Sequence, residues 1–399
     1  MAMNNRQRVK AILHYEDYDR MPVVRFGFWR ETLYKWAEEG HIEKEQADGW
    51  SFNGNVHDTA IGEKLGFDFN WNSVLYPGST LPLYPGGSWR LLEPLFESEI
   101  IKELPNGDRH RLNEEGIIVL ERSGAKGIPA EIGYTLKDRK SWEEHYRPRL
   151  QFSQDVLDKS LVRKSNGEMV RFDSGGRELL QKDDREFYYA LYGGSIMGEI
   201  RNWLGLENLS YLSVDDPILF REMVDTSAEM GYQSVKAILE SGAKFDLIFF
   251  WEDLSFKNGP LVSPKMFEEI AGPYYKRLMD LARRYDIDLA CVDSDGAIDS
   301  LVPAWVNNGV NVMFPIEVGT WGGSIRDLRE KYGRELRGVG GMRKSVFAED
   351  KAAVDAEIER LKPLVELGGY IPCPDHHIPP DAKWDNVKYY CDRMHEVFG

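Results

Sequence analysis

Two aspartates one residue apart, Asp293 and Asp295, stand where an apolar strand candidate over residues 287–292 ends. Side chains on a strand alternate between its two faces, so both carboxylates are predicted to point the same way. Two negative charges held close together raise each other's energy unless a positive group lies beside them. The spacing therefore indicates a site that attracts a cation.

A second polar segment follows the apolar stretch near the end of the chain, at Asp375-His376-His377. Asp293, Asp295 and His376 on neighbouring strands offer the anionic and imidazole ligands of a catalytic divalent metal. Ligation rich in oxygen favours zinc, manganese or magnesium over a site built from thiolates, and zinc is the first expectation. The alternative is that Asp293 caps the following helix, Asp295 forms a turn, and His376 hydrogen-bonds to one of them.

Glu252 and Asp253 follow the apolar run over residues 247–251. An acid at that depth could be a third metal ligand or a general base of raised pKa. We assign this role to Glu252, and His376 is the second catalytic candidate. The alternative for Glu252 is an ordinary acid of a surface loop.

Aromatic and basic side chains at other strand ends are the candidates for substrate contacts: Trp29, Arg30, Tyr192, Trp251 and Arg343. A guanidinium such as that of Arg30 could bind a substrate carboxylate in a bidentate manner, together with Arg25. The alternative for Arg30 is an ion pair with an acid at the rim.

The elements that would position these residues form a regular alternation. From residue 195 onward, apolar strands alternate with helices, which is the pattern of parallel βαβ units. The predicted parallel strands are 22–28, 67–75, 189–196, 245–251, 287–292, 310–316, 336–339 and 369–373; the predicted helices are 216–242, 297–308, 324–332, 350–367, 384–397 and one that starts at 263. About eight parallel strands predict an α/β protein with a (β/α)₈ TIM barrel, whose reactive groups lie at the strand ends.

Residues 86–132 differ from this pattern, because they predict short strands at 88–93, 97–104, 109–113 and 116–122 joined by turns. We interpret them as an antiparallel β meander inserted into the barrel as a lid or rim, with a simple edge extension as the alternative. The first third is also rich in aromatic residues, among them Phe26, Tyr76 and Tyr84, which are expected to wall a cavity for a flat ligand or to pack beneath the meander.

Length and composition fit one barrel domain over residues 1–399 with this insertion. The net charge of −16 argues against nucleic acid or an anionic membrane as the partner, and favours a small molecule or another protein. No apolar run approaches the roughly 18 residues that a membrane span needs, so a cytoplasmic protein is expected. The 3 cysteines show no zinc-finger spacing and are expected to be thiols.

Four segments of the chain have a recognisable family pattern: RQRVKAIL at 6–13, DRMPV at 19–23, SPKMF at 263–267 and the closing segment 368–381. With them the chain resembles the uroporphyrinogen decarboxylase-like superfamily, and more closely its corrinoid-linked methyltransferase branch. The resemblance covers nearly the whole length and implies a (β/α)₈ barrel.

Departures from the family pattern narrow the activity that the resemblance implies. The decarboxylase holds its porphyrinogen with an arginine-rich turn after the first strand and an aspartate after the second, whereas this chain keeps only Arg30 and lacks that acid. The thiol-methylating branch binds zinc through His-x-Cys-Gly and a later cysteine. Here Asp293, Asp295 and His376 fall at the matching places, and these harder ligands suit an ether or alcohol oxygen better than a thiol.

The resemblance therefore implies the methyltransferase component of an anaerobic O-demethylase, which moves a methyl group from a methoxylated small molecule to a corrinoid protein. The chain has no Asp-x-His-x-x-Gly cobalamin signature, so the corrinoid is expected on a partner protein. A homodimer is a further expectation. Trp29, Tyr192 and Trp251 would hold the methoxylated ring, and Arg30 or Arg343 its polar end.

Two other functions stay open at this point. One is a non-porphyrin decarboxylase that uses Arg30 to hold a carboxylate and His376 as the proton donor. The other is a non-catalytic, ligand-binding barrel, since the replacement of the family's metal ligands could mean that the chain has lost its catalytic activity.

Overall fold

A computed structural model describes residues 2–75, 91–124, 129–164 and 168–399. Tyr76, Tyr84 and the beginning of the predicted insertion at residue 86 lie outside the described residues. Within them, the structure places no helix that is both long and apolar enough to cross a membrane.

The strands, in chain order, are β1 Val24–Arg25, β2 Phe69–Asn70, β3 Glu99–Glu103, β4 Arg109–Leu112, β5 Ile117–Glu121, β6 Ala130–Tyr134, β7 Leu161–Arg163, β8 Met169–Arg171, β9 Ala190–Gly194, β10 Leu247–Trp251, β11 Ser255–Phe256, β12 Gly259–Pro260, β13 Ala290–Asp293, β14 Val312–Ile316, β15 Arg337–Met342 and β16 Tyr370–Pro374. The α-helices are α1 Asn5–Leu13, α2 Arg30–Glu38, α3 Lys44–Gly49, α4 Val56–Leu65, α5 Asn72–Leu75, α6 Arg139–Ser141, α7 Gln154–Lys159, α8 Gly176–Lys182, α9 Gly198–Asp215, α10 Pro217–Glu240, α11 Pro264–Ala282, α12 Val302–Val306, α13 Val318–Trp321, α14 Ile325–Tyr332, α15 Lys351–Val365 and α16 Trp384–Phe398.

The parallel strands form the wall of a (β/α)₈ barrel, which confirms the predicted fold class. Six strands pair side by side in the order β16-β15-β14-β13-β10-β9, and β1 pairs in parallel with β2. A parallel bridge from Phe28 to Ile378 joins the end of β1 to the segment after β16, and α5 contacts β9 on the other side. Nearly every residue of the six-stranded sheet is buried, because helices cover its outer face and side chains fill its interior.

Every predicted parallel strand overlaps an observed one, but three predicted elements are wrong in extent, and the first is the strand at 22–28, which forms a strand only over Val24–Arg25. The candidate at 67–75 forms only a two-residue strand before α5, because the side chain of Asn70 accepts the Asn72 N–H and turns the chain. The helix predicted at 297–308 begins at Val302, since the N–H of Ala297 instead donates to the carbonyl oxygen of Phe256.

The inserted meander is a four-stranded antiparallel sheet in the order β3-β4-β5-β6, as predicted in kind. Its strands at Glu99–Glu103, Arg109–Leu112 and Ile117–Glu121 match three of the predicted ones, whereas residues 91–93 of the fourth candidate are not a strand. Strand β6 and the small β7–β8 hairpin were not predicted. The division of 1–399 into one domain with an insertion remains a prediction.

The meander is held to the barrel through α9. The ring of Tyr134, in β6, occupies the space next to Gly205, where an added Cβ would lie 2.2 Å from its Cζ. Gly205 has a φ of 72°, a conformation that favours glycine, and it interrupts α9 there. The ring of Tyr146 lies 5.4 Å from that of Trp203. The inserted sheet thus packs on the helix that leaves β9.

Candidate metal and substrate site

Three aspartates meet where β10 and β13 end. The two strands pair in parallel with Trp251 opposite Asp293, so the next pair of alternate residues brings Asp253 beside Asp295. The N–H of Asp295 donates to Oδ1 of Asp253 at 3.1 Å. One carboxylate oxygen from each of Asp253, Asp293 and Asp295 lies within 4.8 Å of the other two. We call these three residues the acid cluster.

The acid cluster is crowded with negative charge. Burial, followed by the charges of Asp253 and Asp295, raises the pKa of Asp293 well above its ordinary value. Burial and then the charge of Asp295 raise the pKa of Asp253 to about 7. Burial and Asp295 also raise the pKa of Glu317, whose Oε2 accepts the N–H of Gly296 at 2.6 Å. Such repulsion is relieved by protons or by a bound cation.

The donor set of the acid cluster fits a divalent metal. Oδ1 of Asp295 is buried without a hydrogen-bond partner, and in the described ranges no lysine or arginine forms an ion pair with any of the three aspartates. The side chain of Asp295 is nevertheless 36% exposed, so the cluster can be reached from outside. Carboxylate oxygens in this number are ligands for zinc, manganese or magnesium.

His376 lies at the edge of the acid cluster. Its Nε2 is 3.4 Å from Oδ2 of Asp295, and the indole of Trp29 stacks on its ring with centroids 5.7 Å apart. The ring of Phe26 meets it edge to face. The structure therefore brings together Asp293 and Asp295 of the set that the sequence singled out for metal binding, with Asp253 as the third carboxylate, and it places His376 beside Asp295 and Trp29 beside His376.

Glu252 does not join the cluster, in contrast to its predicted role as a third metal ligand, and its predicted role as a general base remains a prediction. Its carboxylate accepts the backbone N–H groups of Ile196, Met197 and Gly198 and the hydroxyl of Tyr275, at 2.5–3.1 Å. Burial raises the pKa of Glu252 to about 7, although these hydrogen bonds act to lower it. The alternation of side chains explains the outcome, because Asp253 shares a face with Trp251 whereas Glu252 points to the other side.

Tyr192 lies inside the barrel, near enough to Asp293 for the charge of that carboxylate to influence it. The side chain is fully buried in β9, and its hydroxyl has no hydrogen-bond partner in the described part of the chain. Burial raises its pKa far above the ordinary value, with further contributions from Glu199, Glu252 and Asp293. A covered phenol of this kind offers no open ring surface, so the predicted contact with a substrate ring is not seen.

Trp251 and the two predicted arginines have different surroundings. Trp251 is half-buried at the end of β10, directly before the acids. Arg30 instead lies at the start of α2 with its guanidinium 3.4 Å from the carbonyl oxygen of Trp50 and 5.7 Å from that indole ring. Arg343 is exposed, and its backbone N–H donates to Glu357 at 2.7 Å. Neither guanidinium contacts the acid cluster.

Lys344 takes the place predicted for Arg343. Burial lowers the pKa of its ammonium group, while the nearby carboxylates of Asp375, Glu317 and Asp295 act in the opposite direction. Its backbone N–H donates to Oδ1 of Asp375, which fixes the loop after β15 to the end of β16. A lysine thus faces the acids from the seventh strand of the barrel.

Sequence reasoning missed Arg201, in the first turns of α9. Its Cζ lies 5.8 Å from the ring centre of Trp251, and its charge opposes part of the rise in the pKa of Asp253. The sequence contained one signal for Arg201. A cation near the positive N-terminal end of a helix is unfavourable unless another interaction compensates, so an arginine at this position indicates a nearby anionic group. Gly198, where α9 begins, brings the helix close, because a Cβ there would lie 3.0 Å from the carbonyl oxygen of Trp251.

A comparison with known families identifies the family of the chain. The family model of uroporphyrinogen decarboxylase (URO-D) matches residues 197–397, just over half of the chain. The chain belongs to the uroporphyrinogen decarboxylase family. The matched residues include the acid cluster, His376 and Arg201. The match confirms the resemblance to this family that the sequence indicated. None of the curated proteins matches the chain by sequence.

One solved structure supports the same fold for this member of the uroporphyrinogen decarboxylase family. A methyltransferase from Methanosarcina mazei aligns over 99% of both chains with a TM-score of 0.59 and 15% sequence identity. A protein from Listeria monocytogenes described as a candidate vitamin-B12-independent methionine synthase has 16% identity over 56% of this chain and 69% of its own, with a TM-score of 0.30. At these identities the first likeness establishes the barrel fold alone.

Proposed function

We propose that this protein is a methyltransferase that moves a methyl group from a methoxylated small molecule to a corrinoid carried by a partner protein. The observation that carries the proposal is the acid cluster of Asp253, Asp293 and Asp295, at the strand ends of a barrel of this family. The likeness in fold to a methyltransferase supports the same reaction class.

In this proposal a divalent cation, with zinc as the first to test, is held by the acid cluster, and His376 is available beside it. A metal ion in such a place acts as a Lewis acid that stabilises the negative charge developing on a departing oxygen. The chain's own residues orient the substrate. Trp29, stacked on His376, and Trp251, directly before the acids, border the cluster with flat apolar surfaces that suit an aromatic ring.

Other residues prepare the site without contacting the substrate. Glu252 fixes the start of α9 by accepting the N–H groups of residues 196–198. The charge of Lys344 balances part of the negative charge of Asp295 and Glu317. A fixed, partly dry arrangement of charges of this kind acts on the reacting atoms without having to reorganise.

The decisive experiment is a methyl-transfer assay with the zinc-loaded protein, reduced cobalamin as acceptor, and a panel of methoxylated benzenes. We expect methylcobalamin to form with the wild type, and Asp295→Asn to abolish both this activity and the bound metal. Manganese and magnesium are tested in parallel. Full activity of D295N, or no methyl transfer with any metal and donor, would overturn the proposal.

The same assay measures the rival activity as carbon dioxide release in the absence of cobalamin. A decarboxylase that holds its substrate through Arg30 has less support, because that guanidinium contacts the carbonyl oxygens of Asp48 and Trp50. Carbon dioxide release that needs no corrinoid would nevertheless replace methyl transfer as the function.

A further inference from the structure

A cavity of 640 Å³ lies in the barrel wall between β2 and β9. In the described ranges these two strands do not pair with each other, so the wall is open along this seam. Helices α1 and α4, the end of β7 and the residues before β2 and β9 line the cavity. The acid cluster, His376, Trp29 and Trp251 are not among its described lining residues, so it is a second site. Its volume is within the range of pockets that hold small organic ligands.

Arg25, at the end of β1, lines this cavity and is only 2% exposed. In the described part of the chain its guanidinium makes two hydrogen bonds, both from Nη2, to the backbone oxygen of Asp58 at 2.9 Å and to Oδ2 of Asp58 at 2.6 Å. Its buried Nε has no acceptor among the described residues. A buried N–H group that is left unpaired costs about 1–3 kcal/mol, so an acceptor on a ligand in the cavity would be favourable.

The buried and half-buried acids of the cavity are already engaged. Oδ1 of Asp58 accepts the indole N–H of Trp50 at 2.9 Å, while its Oδ2 accepts Arg25. Asp68 forms a bidentate ion pair with Arg20. These carboxylates therefore leave the Nε of Arg25 unsatisfied, although one of them pairs with the same guanidinium.

A second guanidinium, that of Arg163, lines the same cavity and donates to the backbone oxygen of Asn53 at 2.9 Å. Burial lowers the pKa of Arg163, and the charge of Asp58 acts in the opposite direction without cancelling this effect. The other two described acids of the lining, Glu63 and Glu186, are exposed at the surface. The inner part of the cavity thus presents donors and positive charge, which suit an anion.

Apolar side chains line much of the remaining surface. Phe67 and Tyr188 are each 3% exposed, and the ring centre of Phe67 lies 5.7 Å from Cζ of Arg25. Phe187 and Val56 also line the cavity and are 46% and 63% exposed, so it opens to solvent past apolar side chains. A fitting ligand combines an anionic end with an apolar body.

We propose that this cavity binds a small organic carboxylate, whose charged end contacts the guanidinium of Arg25 and whose apolar body lies beside Phe67 and Tyr188. A hydrogen bond from Nε to a carboxylate is charge-assisted, and such bonds are roughly twice as strong as those between neutral groups. The inference stands apart from the proposed function, because it involves neither the acid cluster nor a corrinoid.

The experiment is equilibrium binding by titration calorimetry on the full-length protein. Hexanoate is the probe, hexanamide is its uncharged counterpart, and acetate is an anion without the apolar body. We expect hexanoate to bind at least about tenfold more tightly than either of the other two. Asp295→Asn, which alters the acid cluster, is expected to bind hexanoate like the wild type, because the cavity is separate from that site.

Ala60→Phe places a ring in the cavity from α4 and is expected to weaken hexanoate binding by at least about tenfold. Lys64→Phe is the matched control, because residue 64 lies one turn further along the same helix and is not among the lining residues. Arg25→Lys keeps a positive charge beside Asp58 but removes Nε. It is expected to weaken hexanoate binding by a similar factor and to leave hexanamide binding unchanged.

Denaturant unfolding shows whether each variant folds, and A60F, which changes a half-buried helix residue, decides the question if R25K does not fold. The inference would be overturned if the wild type did not bind hexanoate, or bound it no better than hexanamide or acetate. Full affinity in A60F or in a folded R25K would overturn it as well. Loss of hexanoate binding in D295N would place the ligand at the acid cluster and thereby reject the second site.

Discussion

Lys344 is the residue whose charge most directly opposes a cation in the acid cluster. Its ammonium group is largely buried, which lowers its pKa, and the carboxylates of Asp375, Glu317 and Asp295 surround it. In the described part of the chain it forms no ion pair within hydrogen-bonding range, so its effect on the acids is exerted through space. A positive charge near a metal site weakens metal binding, because like charges repel.

Lys344→Met is therefore expected to tighten the binding of zinc by about tenfold, with both proteins compared at the same pH near 8. Competition against a fluorescent chelator measures the change. The control is Lys362→Met, on the outer surface of α15 beside Glu359, which should leave the affinity as it is. Weaker binding in K344M would mean that the ammonium group organises the site instead of repelling the metal.

At the scale of residues, the sequence predicted that acids and a histidine gather at the strand ends, and their role in metal binding remains a prediction. Asp293 and Asp295 lie together, and His376 lies beside Asp295, because the ends of parallel strands share one mouth of the barrel, which the strand pattern predicted. The acid that joins the cluster is Asp253 and not Glu252, while the role of Glu252 as a general base remains a prediction. Counting alternate residues from Trp251 would have selected Asp253, but where a strand ends, and its alternation with it, cannot be read from the sequence with that accuracy.

Among the elements, α9 depends on a single buried carboxylate at its start. Glu252 collects the N–H groups of Ile196, Met197 and Gly198, which precede or open the helix and would otherwise lack acceptors. The same carboxylate accepts the hydroxyl of Tyr275 from α11. Glu252 thereby ties β10, α9 and α11 together beneath the site.

Glu252→Gln is expected to lower the free energy of unfolding by about 2 kcal/mol, because a neutral amide replaces an acceptor that serves four donors. Denaturant unfolding measures this loss. The amount of zinc bound per folded chain should stay as in the wild type, since Glu252 is outside the acid cluster. A variant of unchanged stability that has lost its metal would return Glu252 to the role of ligand that the sequence suggested.

The elements that the sequence predicted are those with a strong apolar pattern. The runs that became β9, β10, β13, β14 and β16 are buried on both faces, so nearly continuous apolar stretches marked them. β6, by contrast, is mostly exposed and carries little apolar pattern, and the β7–β8 hairpin has strands of only three residues. Their pairing depends on neighbouring strands and on packing against the barrel, which a local pattern does not contain.

For the molecule as a whole, the acid cluster makes the metal-free fold sensitive to pH. Burial and then Asp295 raise the pKa of Asp253 to about 7, whereas an aspartate in the unfolded chain titrates near 4. Between about pH 4 and pH 7 the folded protein therefore binds more protons than the unfolded chain. The stability that this group contributes is present at low pH and falls as the pH rises through that window.

Asp253→Asn removes the free-energy cost of ionising this buried carboxyl group, while it keeps the shape of the side chain and an acceptor oxygen. After chelation of metal, D253N is expected to match the wild type near pH 4 and to exceed its free energy of unfolding at about pH 8 by more than 1.4 kcal/mol, the equivalent of one pKa unit. Urea unfolding across this pH range provides the comparison. Asp392→Asn, on the exposed side of α16, serves as control and should show no such divergence. A gap that shrinks with rising pH would contradict the assignment.

The most direct measurement is the metal content of the purified protein after dialysis against zinc and removal of loosely bound ions. We predict one zinc ion per chain for the wild type and for Asp299→Asn, a neighbouring acid outside the cluster, and none for Asp293→Asn or Asp295→Asn, each of which should still unfold cooperatively. A wild type that retains no divalent ion, or a D293N variant that retains it in full, would contradict the claim that the acid cluster is a metal site.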